Sequence, residues 1–193
     1  MGFTRAELES FRGRTLPDLV GPDVRLLFVG INPGLWTAAA QSHFARRGNR
    51  FYPALHRAGI TDRRIDASAG YAAADLAHLQ DRGVGITNLA PQATARADEV
   101  EPAALVAGAR GLRRRVARID PAVVAVLGIS AYRIAFARPR AVVGRQPDDL
   151  GAAQLWVVPN PSGLNAHATP ASLAAAFREI AVAAGIDVYP LQP

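Results

Sequence analysis

Three short segments of the sequence combine side chains and backbone groups that could position a reacting molecule. The first, Gly30–Gly34 (GINPG), ends an apolar run. Pro33 fixes its own φ and favours an extended Asn32, while the two glycines permit a tight turn. The segment therefore predicts a rigid loop that presents the Asn32 amide and free backbone N–H groups. Asn-Pro-Gly is also ordinary turn chemistry, so the segment alone favours a strand-ending turn over a site.

The other two segments offer hydroxyl, amide, imidazole, aromatic and guanidinium groups. Residues Asn160–His167 (NPSGLNAH) follow a second apolar run, and they too are compatible with a plain turn. Residues Ser42–Tyr52 (SHFARRGNRFY) interleave aromatic rings with three arginines. Aromatic faces stack on bases and arginines contact phosphate, so this composition suits nucleic acid. Its structural alternative is a basic loop that leads into a helix with Phe51 in the core.

The elements that must position these segments alternate between buried strands and amphipathic helices. Such alternation predicts an α/β domain, a three-layer α/β/α sandwich with a mostly parallel sheet. In sheets of this kind, ligands bind beyond the carboxyl ends of the strands. The predicted strands are Arg25–Ile31, Val84–Leu89, Ala122–Leu127 and Leu155–Val158, and the predicted helices are Asn49–Ala58, Tyr71–Gln80, Pro102–Ile119, Ser130–Ala137 and Pro170–Ala184.

Residues 1–23 predict a short helix and a connector that precede a single domain over 24–193. Thr4 can cap the helix, with Glu7 as its capping-box partner. The polar first twenty residues contain no apolar signal core, and no apolar run approaches a membrane span. We therefore expect a cytoplasmic protein that does not enter a membrane. The polar segment Arg138–Asp149 predicts a surface loop or a hairpin.

The composition excludes several kinds of chemistry and describes a basic protein. The chain has no cysteine, which excludes disulfides, iron–sulfur clusters and a cysteine nucleophile. Its four histidines lack metal-ligand spacing, so we expect no metal and no cofactor. The net charge is +6, and every basic residue is arginine. The charge favours a polyanionic partner, although a GC-rich genome also explains the excess of arginine and alanine.

In their order and spacing, these segments resemble the mismatch-specific uracil-DNA glycosylases, the Mug and thymine-DNA glycosylase family. The matching text is GINPG at 30–34, Phe44 with GNRFY at 48–52, GITNL and TARADEV across 85–100, LG at 127–128 and NPSGL at 160–164. The resemblance implies the uracil-DNA glycosylase fold and a monomer. It also implies excision of uracil from G:U mismatches in double-stranded DNA after base flipping, with single-stranded DNA as a second candidate substrate.

The resemblance also implies roles for residues at the ends of the first two strands and in the aromatic segment. Asn32 would be the catalytic residue that positions the hydrolytic water, and Phe44 would stack on the flipped base. Backbone groups of Ile31 and Phe44, beside Gly30, would bind the uracil edge. Asn88 stands where some relatives place lysine, so it would affect the base preference.

On the DNA side, the resemblance makes Leu164 the wedge that fills the hole left in the base stack. The Gly163 backbone would face the widowed guanine, and Ser162 with nearby N–H groups would hold phosphate. The remaining expected DNA contacts are Asn160, Asn165, Arg46 and Arg47.

Some positions depart from the family pattern or keep a simpler interpretation. Trp36 stands where relatives often carry small residues, and Ala166 replaces a residue that could reach DNA. Arg113–Arg115 is interpreted as a solvated helix face. A neutral amide cannot act as a general base, so we expect slow turnover and expect an aspartate at position 32 to be the stronger catalyst.

Two other functions stay open on the sequence alone. One is a non-catalytic binder of damaged DNA with the same pocket. The other is a nucleotide-binding α/β enzyme unrelated to DNA, although the chain lacks both a GxGxxG motif and a P-loop. The sequence does not rank uracil, thymine, ethenocytosine, hypoxanthine and xanthine as target bases.

Overall fold

A computed structural model describes residues 2–163, 165 and 168–190. Its centre is one sheet of five strands: β1 (Leu26–Gly30), β2 (Val84–Asn88), β3 (Val123–Leu127), β4 (Gly144–Arg145) and β5 (Gln154–Val158). The spatial order is β2-β1-β3-β5-β4. The neighbours among β1, β2, β3 and β5 pair in parallel, and β4 is antiparallel to β5. The four predicted strands are confirmed, and β4 makes the polar segment before β5 a hairpin.

Helices cover both faces of this sheet. The helices are α1 (Arg5–Glu9), α2 (Leu35–Ala40), α3 (Phe51–Arg57), α4 (Ala73–Asp81), α5 (Pro102–Ile119), α6 (Ile129–Ala135) and α7 (Pro170–Ala183), and those that cover the two faces are α3, α4 and α7 on one and α5 and α6 on the other. The predicted capping box of Thr4 and Glu7 is present at α1. A second box, formed by Thr169 and Ser172, begins α7. The three-layer α/β/α prediction is confirmed. None of the helices in the described ranges is long and apolar enough to cross a membrane.

The pleat of the strands divides the core into two halves. Leu26 and Phe28 of β1 point to one side, where they join buried residues of α3, α4 and α7. Leu27 and Val29 point to the other side, where they pack with α5 and α6. Since all five residues of β1 are buried, the strand has no solvent-exposed face. This double burial explains why the parallel strands are continuous apolar runs rather than alternating ones.

The strand register brings four loops to one edge of the sheet. Gly30 at the end of β1 is paired with Asn88 at the end of β2. Leu127 at the end of β3 is paired with Val158 at the end of β5. The segments that follow these strands, including Asn32 and Asn160, therefore begin side by side at the carboxyl edge, where open α/β sheets bind ligands.

The N-terminal segment packs along this same edge. Leu8 and Phe11 contact the small buried cluster of Leu35, Ala38 and Ala93. The N–H of Gly13 donates to the carbonyl of Ala93 at 2.8 Å, and the N–H of Ala93 donates back to Arg14 at 2.8 Å. The segment thus supports the loop that follows β2. The division of the chain at residue 23 stays a prediction.

One close approach, between α5 and the residue that follows β2, gives a test of this packing. A Cβ added to Gly108 would lie 2.5 Å from the carbonyl oxygen of Leu89, whereas one added to Gly111 would meet nothing closer than 3.9 Å. Alanine favours a helix over glycine by about 1 kcal/mol. We expect Gly111→Ala to stabilise the fold by up to that amount and Gly108→Ala to destabilise it by about 1–3 kcal/mol. Urea unfolding midpoints measure both, and equal effects would contradict the packing.

Candidate active site

Three groups converge where β1 and β2 end. A Cβ on Gly30 would clash with Oδ1 of Asn88 and would lie 3.5 Å from Cζ of Phe44. Asn88 is 7% exposed, and its backbone carbonyl accepts a 2.7 Å hydrogen bond from Arg115. The bare Gly30 backbone therefore leaves room for a polar amide and an aromatic edge at one point. The predicted site residues Gly30, Phe44 and Asn88 are brought together.

The side chain of Asn32 is held by its nitrogen. Nδ2 donates to the Thr94 hydroxyl at 2.7 Å, to the Pro33 carbonyl at 3.0 Å and to the Gln92 carbonyl at 3.2 Å. Thr94 Oγ1 accepts from Asn32 because its own proton goes to the carbonyl of Arg96 at 2.6 Å. These contacts leave Oδ1 as the free end, with no hydrogen-bond partner among the described residues. A half-buried oxygen of this kind can accept a hydrogen bond from water.

The loop that holds Asn32 is itself tied on two sides. The N–H of Ala90 donates to the carbonyl of Ile31 at 2.9 Å, and the N–H of Thr94 donates to Pro33 at 3.2 Å. On the outside, Ala93 exchanges two backbone hydrogen bonds with the N-terminal segment. Two acceptors of the Asn32 amide, Gln92 and Thr94, therefore lie in the loop after β2, which is hydrogen-bonded to its neighbours on both sides. These hydrogen bonds limit how far the two acceptors can move.

Phe44 has a left-handed backbone, with φ at 54°. Its ring stacks on Phe51 with centroids 4.1 Å apart and an angle of 24° between the planes. Neither the N–H nor the carbonyl of Phe44 has a hydrogen-bond partner in the part of the chain that the structure describes. An unbonded N–H at a strained position is available to a ligand, and strain of this kind concentrates at functional sites.

Two tyrosines fix the backbone just before Phe44. Tyr52 donates its hydroxyl proton to the carbonyl of His43 at 2.9 Å, and the N–H of His43 donates to the Tyr71 hydroxyl at 3.1 Å. The two hydroxyls lie 2.7 Å apart. Burial raises the pKa of Tyr52 well above its ordinary value and that of Tyr71 to about 12, so both hydroxyls keep their protons. The pair holds the strained turn in place.

The His43 ring lies beneath this turn and is 2% exposed. Its Nε2 lies 3.0 Å from the carbonyl of Pro17. Burial lowers the pKa of His43 to about 4, against a smaller rise from the Pro17 carbonyl and the charge of Asp18. The ring is therefore neutral near pH 7. It supports the turn from beneath and is shielded from solvent.

The loop after β5 forms an Asx turn. Oδ1 of Asn160 accepts from the N–H of Ser162 at 2.9 Å, and Nδ2 of Asn165 donates to the carbonyl of Asn160 at 2.9 Å. Gly163 is exposed, and a Cβ there would lie 2.7 Å from the carbonyl oxygen of Gly48. The loop thus packs against the arginine-rich segment. The predicted wedge, Leu164, lies outside the described residues.

The two loops together line a cavity of about 180 Å³, formed by Arg46, Arg47, Gly48, Asn49, Ser162 and Gly163. Both arginines are exposed, and neither forms an ion pair within the described ranges. The cavity is therefore positively charged and open to an anion. A larger cavity of about 500 Å³, with Arg25 and Gly83 in its lining, lies at the opposite end of β1 and β2, away from this site.

Several contacts of the site are not apparent from the sequence. Thr94 is the first residue of the TARADEV motif, but nothing in the spacing of that motif indicates that Thr94 binds Asn32. Arg115 is half-buried and bonds Asn88, so a solvated face is the wrong interpretation for it, whereas Arg113 and Arg114 are exposed as expected. Trp36 donates its Nε1 proton to the carbonyl of Ser68 at 2.9 Å and contacts Phe3.

Across the described part of the chain, no group of three or more His, Asp or Glu side chains could hold a metal ion. The groups that converge on the site are amides, a hydroxyl, backbone N–H groups and aromatic rings. Such a set can donate and accept hydrogen bonds and can stack on a planar ring.

The chain matches known proteins in both sequence and fold. The sequence model of the uracil DNA glycosylase superfamily matches residues 17–181. A similar solved structure is the solution NMR structure of a candidate uracil DNA glycosylase from Methanosarcina acetivorans. The two chains are 16% identical with a TM-score of 0.54, and the match covers 88% of this chain and 98% of the other. At that identity the likeness shows the fold alone.

The buried His43 ring predicts a measurable pH dependence of stability. Between pH 6.5 and about 4, the unfolded chain protonates this ring while the folded chain does not. Lowering the pH in that window therefore favours unfolding, by about 1.4 kcal/mol for each unit of pKa difference. Over this pH window, we expect the free energy of unfolding of His43→Asn to fall by roughly 3 kcal/mol less than that of the native chain. Unfolding free energies from urea titrations at several pH values check it, and parallel pH curves would contradict it.

Proposed function

The chain belongs to the uracil DNA glycosylase superfamily, and from that premise we propose that it is a monofunctional glycosylase of the mismatch-specific Mug and thymine-DNA glycosylase type. Its substrate is uracil opposite guanine in double-stranded DNA, and its reaction is hydrolysis of the N-glycosidic bond after base flipping. The observation that carries the proposal is the Asn32 amide, whose nitrogen is fixed and whose oxygen has no partner among the described residues.

In this mechanism Asn32 orients the attacking water. The bond between C1′ and the uracil nitrogen breaks, and its electron pair leaves with the base. The sugar gains oxocarbenium character. Water held by Oδ1 of Asn32 adds to C1′ and gives one proton to the solvent, and the uracil anion takes one proton up, which leaves an abasic sugar and neutral uracil. A neutral amide takes no proton itself, so its contribution is positioning.

The base would sit where Gly30, Phe44 and Asn88 converge. The Asn88 amide offers an acceptor and a donor, which can complement N3–H and O4 of uracil. The N–H of Phe44, which bonds nothing in the described structure, can stabilise the negative charge that develops on a uracil carbonyl. The Phe44 ring supplies a stacking surface backed by Phe51. Together these groups favour a planar base whose departure builds an anion.

Two further observations support a hydrolytic, DNA-directed enzyme. The chain has no lysine, so no side-chain amine can form a Schiff base with the abasic sugar, and water is the expected nucleophile. The net charge of +6 and the exposed Arg46 and Arg47 favour contact with phosphates. Ser162, Gly163, Asn160 and Asn165 of the neighbouring loop complete the proposed DNA surface, with Leu164 as the proposed wedge.

The proposed activity is tested on duplexes that carry one uracil opposite guanine. After incubation, alkali cleaves the strand wherever a base has been lost, and gel electrophoresis resolves the product. We expect cleavage by the native chain and none by Asn32→Ala, with the affinity for the duplex retained. Tight binding without cleavage by the native chain would favour a non-catalytic binder, and weak, salt-insensitive binding would favour an enzyme unrelated to DNA.

The role of Thr94 gives a separate prediction. Thr94→Val removes the hydroxyl that accepts the shortest of the three hydrogen bonds from Asn32, so the two remaining carbonyls hold the amide less firmly. We expect the single-turnover rate to fall about tenfold, the value of one lost hydrogen bond, with little change in the dissociation constant. Thr94→Ser keeps the hydroxyl and serves as the control. Equal rates for the valine and serine variants would contradict a positioning role for this hydroxyl.

A further inference from the structure

Arg50 makes an unusual set of contacts for an arginine beside a DNA-binding surface. Its Nη2 donates to the carbonyl of Ser162 at 2.6 Å and to that of Asn165 at 2.8 Å, and its Nη1 donates to the carbonyl of Ala168. Its backbone N–H donates to the carbonyl of Pro161 at 2.9 Å. One residue thus binds four carbonyls of the segment that follows β5.

The guanidinium is held without a counter-charge. Arg50 forms no ion pair with the described residues, and its Nε is buried with no partner among them. A buried cation is costly unless its protons are satisfied. Backbone carbonyls supply most of that satisfaction here, so the orientation of those carbonyls and the position of Arg50 depend on each other.

Arg50 also adjoins the aromatic stack. It is the N-cap of α3, and the next residue, Phe51, stacks on Phe44 at 4.1 Å. On the other side of the contact, Gly163 approaches the carbonyl of Gly48 so closely that a Cβ would not fit. The segment that carries the base-stacking ring and the segment after β5 are therefore joined side by side, with Arg50 as the link.

We propose that Arg50 is a positioning residue that fixes the carbonyls of Ser162, Asn165 and Ala168 relative to the Phe44–Phe51 stack. It touches neither the base nor the reacting bond. Through it, the surface that grips the DNA and the surface that receives the base keep one relative placement before DNA arrives. The consequence for catalysis rests on the proposed glycosylase function, whereas the placement itself does not.

Arginine is specific for this task because its planar fork directs several N–H groups along divergent lines. Lysine keeps the charge but presents its protons from a single atom at the end of a flexible chain. Arg50→Lys therefore separates geometry from charge. Arg57→Lys is a matched control, since Arg57 lies in the same helix α3 and is exposed.

The first measurement is amide hydrogen exchange by NMR on the full chain without DNA. The reporters are the N–H groups of Ser162 and Asn165, and Val124 to Val126 in β3 report global unfolding. We expect exchange at Ser162 and Asn165 to be about tenfold faster in Arg50→Lys, with β3 and the Arg57→Lys variant unchanged. Unchanged exchange at those two amides, or an equal rise in β3, would overturn the proposal.

The second measurement is single-turnover cleavage with two duplexes. In one, uracil is opposite guanine. In the other, the opposite nucleotide carries a bulky flat aromatic group that occupies the stack and expels the uracil by itself. We expect the single-turnover rate of Arg50→Lys to fall about tenfold on the first duplex and less than about threefold on the second. On the second duplex the aromatic group fills the base stack, so the protein surface that contacts the DNA no longer has to do so. Equal losses on both duplexes would overturn the proposal.

The two measurements separate this inference from the proposed function. If the native chain cleaves neither duplex, the glycosylase proposal fails while the exchange experiment still tests the placement. The native chain could instead cleave the duplexes while Arg50→Lys changes neither the amide exchange rates nor the ratio of the cleavage rates on the two duplexes. In that case the positioning role is wrong and the glycosylase proposal stands. Arg50→Gln repeats both tests without the charge, and it should behave like Arg50→Lys if geometry matters.

Discussion

The hydrogen bonds from the Asn32 nitrogen are the constraint on which the rest of the site depends. An amide has a donor end and an acceptor end, and only their fixed orientation makes one of them useful to a reaction. Here the donor end is committed to Thr94, Pro33 and Gln92. The opposite end is therefore directed away from these groups. Preorganisation of this kind lowers a barrier without any proton transfer by the side chain.

The fold explains why this orientation can persist. The Asn32 loop starts from a strand that is buried on both faces, and its acceptors lie in a loop braced by the N-terminal segment. The ring of Phe44 is set by a comparable device, in which two protonated tyrosine hydroxyls clamp the peptide before a left-handed turn. In both cases a rigid element supports a short loop, and the loop carries the group to which the proposed function gives a role. This is the usual division of labour in α/β enzymes.

Local features of this protein were predictable from its sequence, whereas tertiary contacts were not. The four parallel strands and the α1 capping box follow from apolar runs and from two residues three positions apart. Helix α2 was not predicted, because its six residues are too few to show a period. The convergence of Gly30, Phe44 and Asn88 followed from the family pattern. Three polar contacts were not predictable: Thr94 with Asn32, Arg115 with Asn88, and Arg50 with the segment after β5. Each joins segments that are far apart in the sequence, and such contacts leave no periodic pattern in it.

The structure also changes one expectation about position 32. Sequence reasoning favours aspartate there as the stronger catalyst, because a carboxylate can activate water. In this fold, the position of Nδ2 faces the carbonyls of Pro33 and Gln92 and a hydroxyl whose proton is used elsewhere. A carboxylate oxygen in that place would meet two carbonyl oxygens, and its one donor would be the Thr94 hydroxyl, which would then give up its hydrogen bond to Arg96. The surroundings therefore fit an amide better than a carboxylate, as the water-orienting role proposed for Asn32 requires.

The central claim is that hydrogen bonds hold the side-chain nitrogen of Asn32, which leaves its oxygen to bind water. The pH dependence of the stability of Asn32→Asp tests this claim most directly. If acceptors surround the fixed end, the introduced carboxyl keeps its proton in the folded chain and its pKa rises above the unfolded value of about 3.9. The variant should then lose stability relative to the native chain as pH rises from 4 to 7, by roughly 1–3 kcal/mol. A difference that stays constant across that range, or that shrinks as pH rises, would contradict the claim.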